Sequence, residues 1–218
     1  MKMKKTAALF AALMSLTALT VNVNAESTST LPSSYKSKYR QILQKAEEDE
    51  SISGVYIGDL VGDEREELII AHNEFGYSTL YVPVGKNKLR KYTFDVVSVW
   101  GFTKYIKGSR EIICMNNYGH TTGAPYALEM EMLSVEDDSF SNYTLKRDWN
   151  EEGTGTLSLI NGKEVTDADF ATALNALIAE TARSEYIPYV KYNSDSMPFG
   201  EGETTDIDYE TYISEKLS

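Results

Sequence analysis

Apolar residues recur along this chain in two rhythms. From 33 to 48, Tyr35, Tyr39, Ile42, Leu43 and Ala46 fall three and four apart, while Lys and Gln occupy much of the other face. That spacing predicts an amphipathic helix, with Ser33 or Ser34 as its cap. The run Glu47-Glu48-Asp49-Glu50 ends it. Beyond it the rhythm shortens toward alternation, rich in Val, Ile, Tyr and Thr. Strands are predicted at 55–57, 67–71, 77–84, 89–100, 102–106, 111–115, 126–135, 140–149 and 157–160. Gly, Asn and Lys turns join most of them, as in an antiparallel meander. A second helix is predicted over 166–183. Thr166 is its cap, Asp167 and Asp169 fill its first turn, and Phe170, Leu174, Leu177 and Ile178 form its apolar face. The piece 186–190 is extended, and Pro188 confines it to an edge. From 193 the composition turns to Ser, Asp, Gly and Glu, with a last short helix over 208–216.

The fold class this pattern predicts is α+β. A mainly antiparallel β-sheet, built as a meander, is covered by an N-terminal amphipathic helix and a late C-terminal helix. One domain spans 33–192, followed by an acidic C-terminal tail, 193–218. No fixed-period repeat marks a propeller.

The first residues change where this domain is expected to work. Lys2, Lys4 and Lys5 precede an apolar run from Thr6 to about Val21, and Val23-Asn24-Ala25 supplies small or apolar residues at −3 and −1. This is the pattern of a secretory signal peptide over 1–25, followed by a flexible leader over 26–32. The expected location is therefore secreted and extracellular, with no membrane span after cleavage. Removing 1–25 takes the formal charge from −12 to −15. Such a surface repels nucleic acid and anionic membranes and favours cations. The single cysteine, Cys114, has no internal partner and sits in an apolar run, as a buried small residue does.

The candidate chemistry centres on the turn Gly58-Asp59-Leu60-Val61-Gly62-Asp63-Glu64-Arg65-Glu66-Glu67. Counted from Asp59, carboxylates fall at positions 1, 5 and 9: Asp59, Asp63 and Glu67. A calcium ion takes six to eight oxygens, and alternate residues of a tight loop can turn theirs inward. The same residues can instead bond backbone N–H groups, as Asp does in turns. The spacing resembles the D-x-(D/N)-x-D-G-x-x-(D/E)-L loop of FG-GAP and VCBS-type repeats, with Val61 at position 3 and Glu64 at position 6 as departures. That resemblance implies a loop between two strands whose oxygens hold calcium. An EF-hand does not fit, because position 12 is Ile70.

Over about 35–192, the helix, the acidic loop, the Tyr-rich strands and Asn161-Gly162-Lys163-Glu164-Val165-Thr166-Asp167-Ala168-Asp169-Phe170 together resemble a group of small exported Gram-positive bacterial proteins. The resemblance implies export and a β-rich fold, and no activity.

Three functions are open to these residues. The first is a non-catalytic exported binding module with an extracellular protein or glycan partner. Its expected surface includes Tyr77, Tyr81, Tyr92, Tyr105, Tyr118, Tyr126 and Tyr143, which lie in or beside strands. The second is a secreted hydrolase using His120, set between Gly119 and Gly123, with an acidic partner. No G-x-S-x-G, H-E-x-x-H or C-x-x-C supports it. The third is a structural protein stabilised by calcium at Asp59, Asp63 and Glu67.

Overall fold

The structure, a computed structural model, describes residues 31–72, 77–94, 102–117, 128–150, 155–193 and 204–218. The segment 1–25, most of the leader, the 118–125 stretch with His120 and the end of the predicted 89–100 strand lie outside them. No helix among the described residues is long and apolar enough to cross a membrane.

The class is α+β, β-rich and dominated by antiparallel pairing. Helix α1 (Ser33–Glu48) leads into β1 (Ile52–Gly58), β2 (Glu67–His72), β3 (Ser78–Val84) and β4 (Lys88–Phe94). A second run comprises β5 (Phe102–Ile106), β6 (Glu111–Asn117), β7 (Leu128–Val135), β8 (Phe140–Trp149), β9 (Thr156–Ile160) and β10 (Lys163–Glu164). Helix α2 (Asp167–Thr181), β11 (Glu185–Tyr186), β12 (Tyr189–Lys191), β13 (Thr204–Thr205) and α3 (Tyr209–Leu217) complete the chain.

The strands form two sheets rather than one. The first has the order β13-β12-β1-β2-β3-β4, the second β10-β9-β8-β7-β6-β5-β11. Each therefore contains an uninterrupted meander, and among the described residues only β12 and β13 pair in parallel. Three apolar clusters separate the layers. Tyr35, Tyr39 and Leu43 of α1 join Val55, Ile57, Leu68 and Ile70 on the outer face of the first sheet. Ile69, Leu80 and Phe94 meet Ile112, Cys114 and Leu133 between the sheets. Phe170 and Leu177 of α2 cover Ile113, Met130 and Leu145 on the far side of the second. The alternation along β2 explains the need for a second sheet: Leu68 and Ile70 face α1, Ile69 and Ala71 face the other way, and all four are buried. A sheet apolar on both faces must be covered on both.

Local signals account for several boundaries. Asn161 and Gly162 both have positive φ, 50° and 71°, and turn β9 into β10. The Thr166 hydroxyl accepts from Asp169 N at 3.2 Å and caps α2. At α1 the cap position is Pro32, not Ser33 or Ser34, and the Pro32 carbonyl accepts from Tyr35 N and Lys36 N. Pro188 lies where the chain leaves the second sheet after β11 and enters the first at β12.

That crossing leaves a gap which α3 fills. Strand β12 pairs with β1 at Gly54 and Val55. Continuing the register would set Ile57 opposite Pro188, which has no N–H to give. The Tyr212 hydroxyl serves instead, accepting from Ile57 N at 2.7 Å and donating to Ile57 O at 3.1 Å. Tyr212 is buried with Tyr209 and Leu217 in the same core as α1. Tyr212→Phe leaves both backbone groups of Ile57 unpaired. It should lower unfolding free energy by about 1–3 kcal/mol in urea titrations; an unchanged midpoint would show that water replaces the hydroxyl.

Candidate functional site

The acidic turn joins β1 to β2 and is closed by its own carboxylates. Asp59 accepts from Gly62 N at 2.6 Å, Asp63 N at 3.1 Å and Glu64 N at 3.0 Å. Asp63 accepts from Arg65 N at 3.0 Å and forms an ion pair with the Arg65 guanidinium. Glu67 lies fully buried, and its Oε2 accepts from Leu60 N at 2.9 Å and Val61 N at 3.3 Å. Its other oxygen, Oε1, is buried without a hydrogen-bond partner. Leu60 and Val61 insert between the two sheets. This is why position 3 of the loop is apolar: its side chain belongs to the core.

The structure thus keeps Asp59, Asp63 and Glu67 on one turn and directs most of their oxygens at backbone N–H groups and Arg65. Among the described residues, no three His, Cys, Asp or Glu side chains gather in a way that could hold a metal ion. Burial holds the Glu67 carboxyl well above the usual carboxylate range; the Leu60 N–H opposes this, and the charges of Asp63 and Asp59 reinforce it.

His72 is also inside. Its Nε2 lies 3.0 Å from Thr79 Oγ1 and its ring stacks on Tyr77 at 4.3 Å. Burial pulls its pKa down to about 4; the Ser51 backbone opposes the shift and Lys91 adds to it. A neutral buried imidazole stabilises the fold above its unfolded pKa of about 6.5, and that stability drains away as pH falls toward 4. The window is worth on the order of 3 kcal/mol. Glu67 runs in the opposite sense, since its raised pKa makes folding less favourable as pH rises above about 4.5. The pH dependence due to His72 is therefore read as a difference. Wild type should lose more stability than His72→Gln between pH 7 and pH 4.5, measured by urea midpoints; parallel curves would sink this assignment.

Cys114 is buried between the sheets, its Sγ 3.5 Å from Thr103 Oγ1, and burial pushes its thiol pKa upward. Such a thiol is unreactive. Of the strand tyrosines, Tyr81 packs on the α1 side, Tyr92 and Tyr105 pack between the sheets, and Tyr143 packs toward α2. Tyr77 is held by His72. Tyr118 and Tyr126 lie outside the described residues, as does His120.

One polar group reaches the seam between the sheets and was not legible from motifs. Glu131 on β7 is only 4% exposed. Its Oε1 accepts from the Tyr92 hydroxyl, a short contact from β4 of the other sheet, and from Asn142 Nδ2 on β8 at 3.1 Å. Asn142 Nδ2 also lies 3.2 Å from the Tyr92 oxygen. The Tyr92 ring meets Phe94 and Phe140 edge-on at 5.1 and 5.3 Å, and the Arg90 guanidinium sits 4.6 Å above Phe140. Burial, then the bond to Glu131, raises the Tyr92 pKa. The sequence signal was present in the β7 alternation, where Glu129 and Glu131 interleave with Leu128, Met130 and Met132. It sets two acids on the face that turns toward the first sheet.

A polar cavity of about 510 Å³ opens at the turn end of the second sheet, lined by Ser109, Arg110, Glu111, Glu136, Asp137 and Ser139. Its charges are largely matched within it: Arg110 pairs with Asp137 at 2.6 Å, and Glu136 accepts from Ser139 at 2.9 Å.

Compared with protein-family models, curated proteins and solved structures, the chain matches none.

Proposed function

We propose that the chain is an exported, non-catalytic binding module that meets a protein or glycan partner outside the cell. The observation that carries this reading is the Tyr92–Glu131–Asn142 group, which combines a buried carboxylate with a half-buried phenol and an exposed amide. Such a group offers fixed hydrogen-bonding directions at a solvent boundary, as binding sites do. Three of the described groups with inherent reactivity support the same reading. Cys114 is sealed in the core, and His72 and Glu67 are committed to Thr79 and to backbone N–H groups. The test is a binding screen against surface glycans and secreted proteins, run beside general hydrolase substrates. Binding without turnover is expected; turnover of a substrate with no binding partner overturns the reading.

A calcium-stabilised loop is the second reading, favoured by the unpartnered, buried Glu67 Oε1. An ion seated by Asp59, Asp63 and Glu67 would have to compete with the backbone N–H groups those carboxylates now accept. A site that binds only the folded state must raise the melting midpoint. An equal midpoint in millimolar calcium and in chelator removes this reading.

A further inference from the structure

We propose that the Tyr92–Glu131–Asn142 group and the strip of β8 beside it form a binding site for a neutral oligosaccharide. The proposal rests on the binding-module reading above and names its ligand class and its place.

The first argument is how Glu131 is satisfied. Two other carboxylates are buried among the described residues: Glu67 accepts from backbone N–H groups of its own turn, and Glu66 accepts from Lys216 Nζ at 2.8 Å. Glu131 accepts from two side chains on two other strands, one of them in the opposite sheet. Both donors stand at the solvent boundary: Tyr92 is half-buried and Asn142 is exposed. With its Nδ2 drawn to Glu131 Oε1 and the Tyr92 oxygen, Asn142 presents its Oδ1 in a set direction. An acceptor held this way loses little freedom on binding, which is preorganisation.

The second argument is the strip itself. Cross-strand register places Asn142, Thr144, Lys146 and Asp148 on the Glu131 face of β8. On β9, Leu159 and Leu157 stand opposite Lys146 and Asp148. Thr144, Lys146, Asp148, Leu157 and Leu159 are all half-exposed, beyond β4, the edge strand of the first sheet, and the Lys146 side chain is 42% exposed. Lys146 pairs only loosely with Glu129, at 3.9 Å. A polar row on β8 therefore runs beside an apolar row on β9 along one half-exposed surface. A sugar chain, with hydroxyl edges and C–H faces, needs that mixture, whereas a purely apolar partner would leave these polar groups unpaired.

The third argument is charge. The formal charge of −12 and the two acids on this face of β7 disfavour polyanions. Lys146, 3.9 Å from Glu129, keeps the strip from being a plain cation site. A neutral chain fits best.

The experiment is calorimetric titration of the full chain with neutral hexasaccharides of glucose and of N-acetylglucosamine, with a hexauronate as charged comparator. Asn142→Ala, Tyr92→Phe and the distant Asn175→Ala on exposed α2 are titrated alongside, each checked for an unchanged circular dichroism spectrum. Binding of a neutral chain should weaken at least tenfold in Asn142→Ala and Tyr92→Phe and stay unchanged in Asn175→Ala. Equal binding by all three variants overturns the site while leaving a binding module. Preference for the hexauronate, or binding only to a secreted protein, overturns the ligand class. No binding to any glycan or protein overturns both this proposal and the reading beneath it.

Discussion

Gly62→Ala should destabilise the protein by about 3 kcal/mol or more, whereas Gly108→Ala should cost only about 1 kcal/mol. The two glycines face each other where the β1–β2 turn meets the β5–β6 turn, and both have positive φ, 73° and 75°. Either substitution therefore carries the left-handed penalty of an L-residue. They differ in space. A Cβ on Gly62 would stand 2.6 Å from Gly108 Cα, which is backbone and cannot swing aside. A Cβ on Gly108 meets nothing within 4 Å. Relieving the first clash pushes the acidic turn off the second sheet and withdraws Leu60 and Val61 from the core. Urea midpoints measure the difference. Reaction of Cys114 with a thiol reagent supplies a second readout, because that thiol lies between the sheets. Equal losses in the two variants would show that backbone strain alone, and not the close approach, governs this junction.

Phe170→Ala should cost about 3–5 kcal/mol, the usual range for deleting a fully buried aromatic side chain. Phe170 is the anchor of α2, with no exposed surface, among Ile113, Met130 and Leu145. The Arg147 guanidinium lies 4.3 Å from its ring and would lose that contact too. Arg147 also reaches Asp167 at 3.1 Å, so the start of α2 is tied to the sheet at two neighbouring points. Ile178, 49% exposed on the same helix, is the control, and Ile178→Ala should stay within about 0.5 kcal/mol. Amide exchange should show α2 opening first in Phe170→Ala. If both substitutions cost the same, α2 is held by its exposed side, and something other than the second sheet covers it.

The Ile178 result bears on how much of the fold was legible. Periodicity placed Phe170, Leu174, Leu177 and Ile178 on one face, yet only Phe170 and Leu177 are buried. Helix α2 is apolar around much of its girth, through Ala168, Ala171, Ala176 and Ala179, so its pattern points only weakly to one side. Helix α1, with Lys and Gln opposite its tyrosines, is unambiguous, and Tyr35, Tyr39, Leu43 and Ala46 are buried as expected. For the acidic turn, spacing identified the residues and left their partners open. Asp59, Asp63 and Glu67 could be read as ligands or as caps, because a carboxylate serves a cation and an N–H group alike.

What the chain settles by itself is local. The helix over 33–48, the alternating strands, the Asn161-Gly162 turn and the Thr166 cap follow from contacts within a few residues. Tertiary structure alone decides that the meander divides into two facing sheets, with the chain passing between them at Pro188. It also decides that Tyr212 completes β1 from 155 positions away, and that Tyr92, Glu131 and Asn142 meet across the seam. The reason is the range of the interactions. Backbone preference and periodicity act over one or two turns of chain, whereas a buried polar group is satisfied by whichever donor the packed layers bring to it.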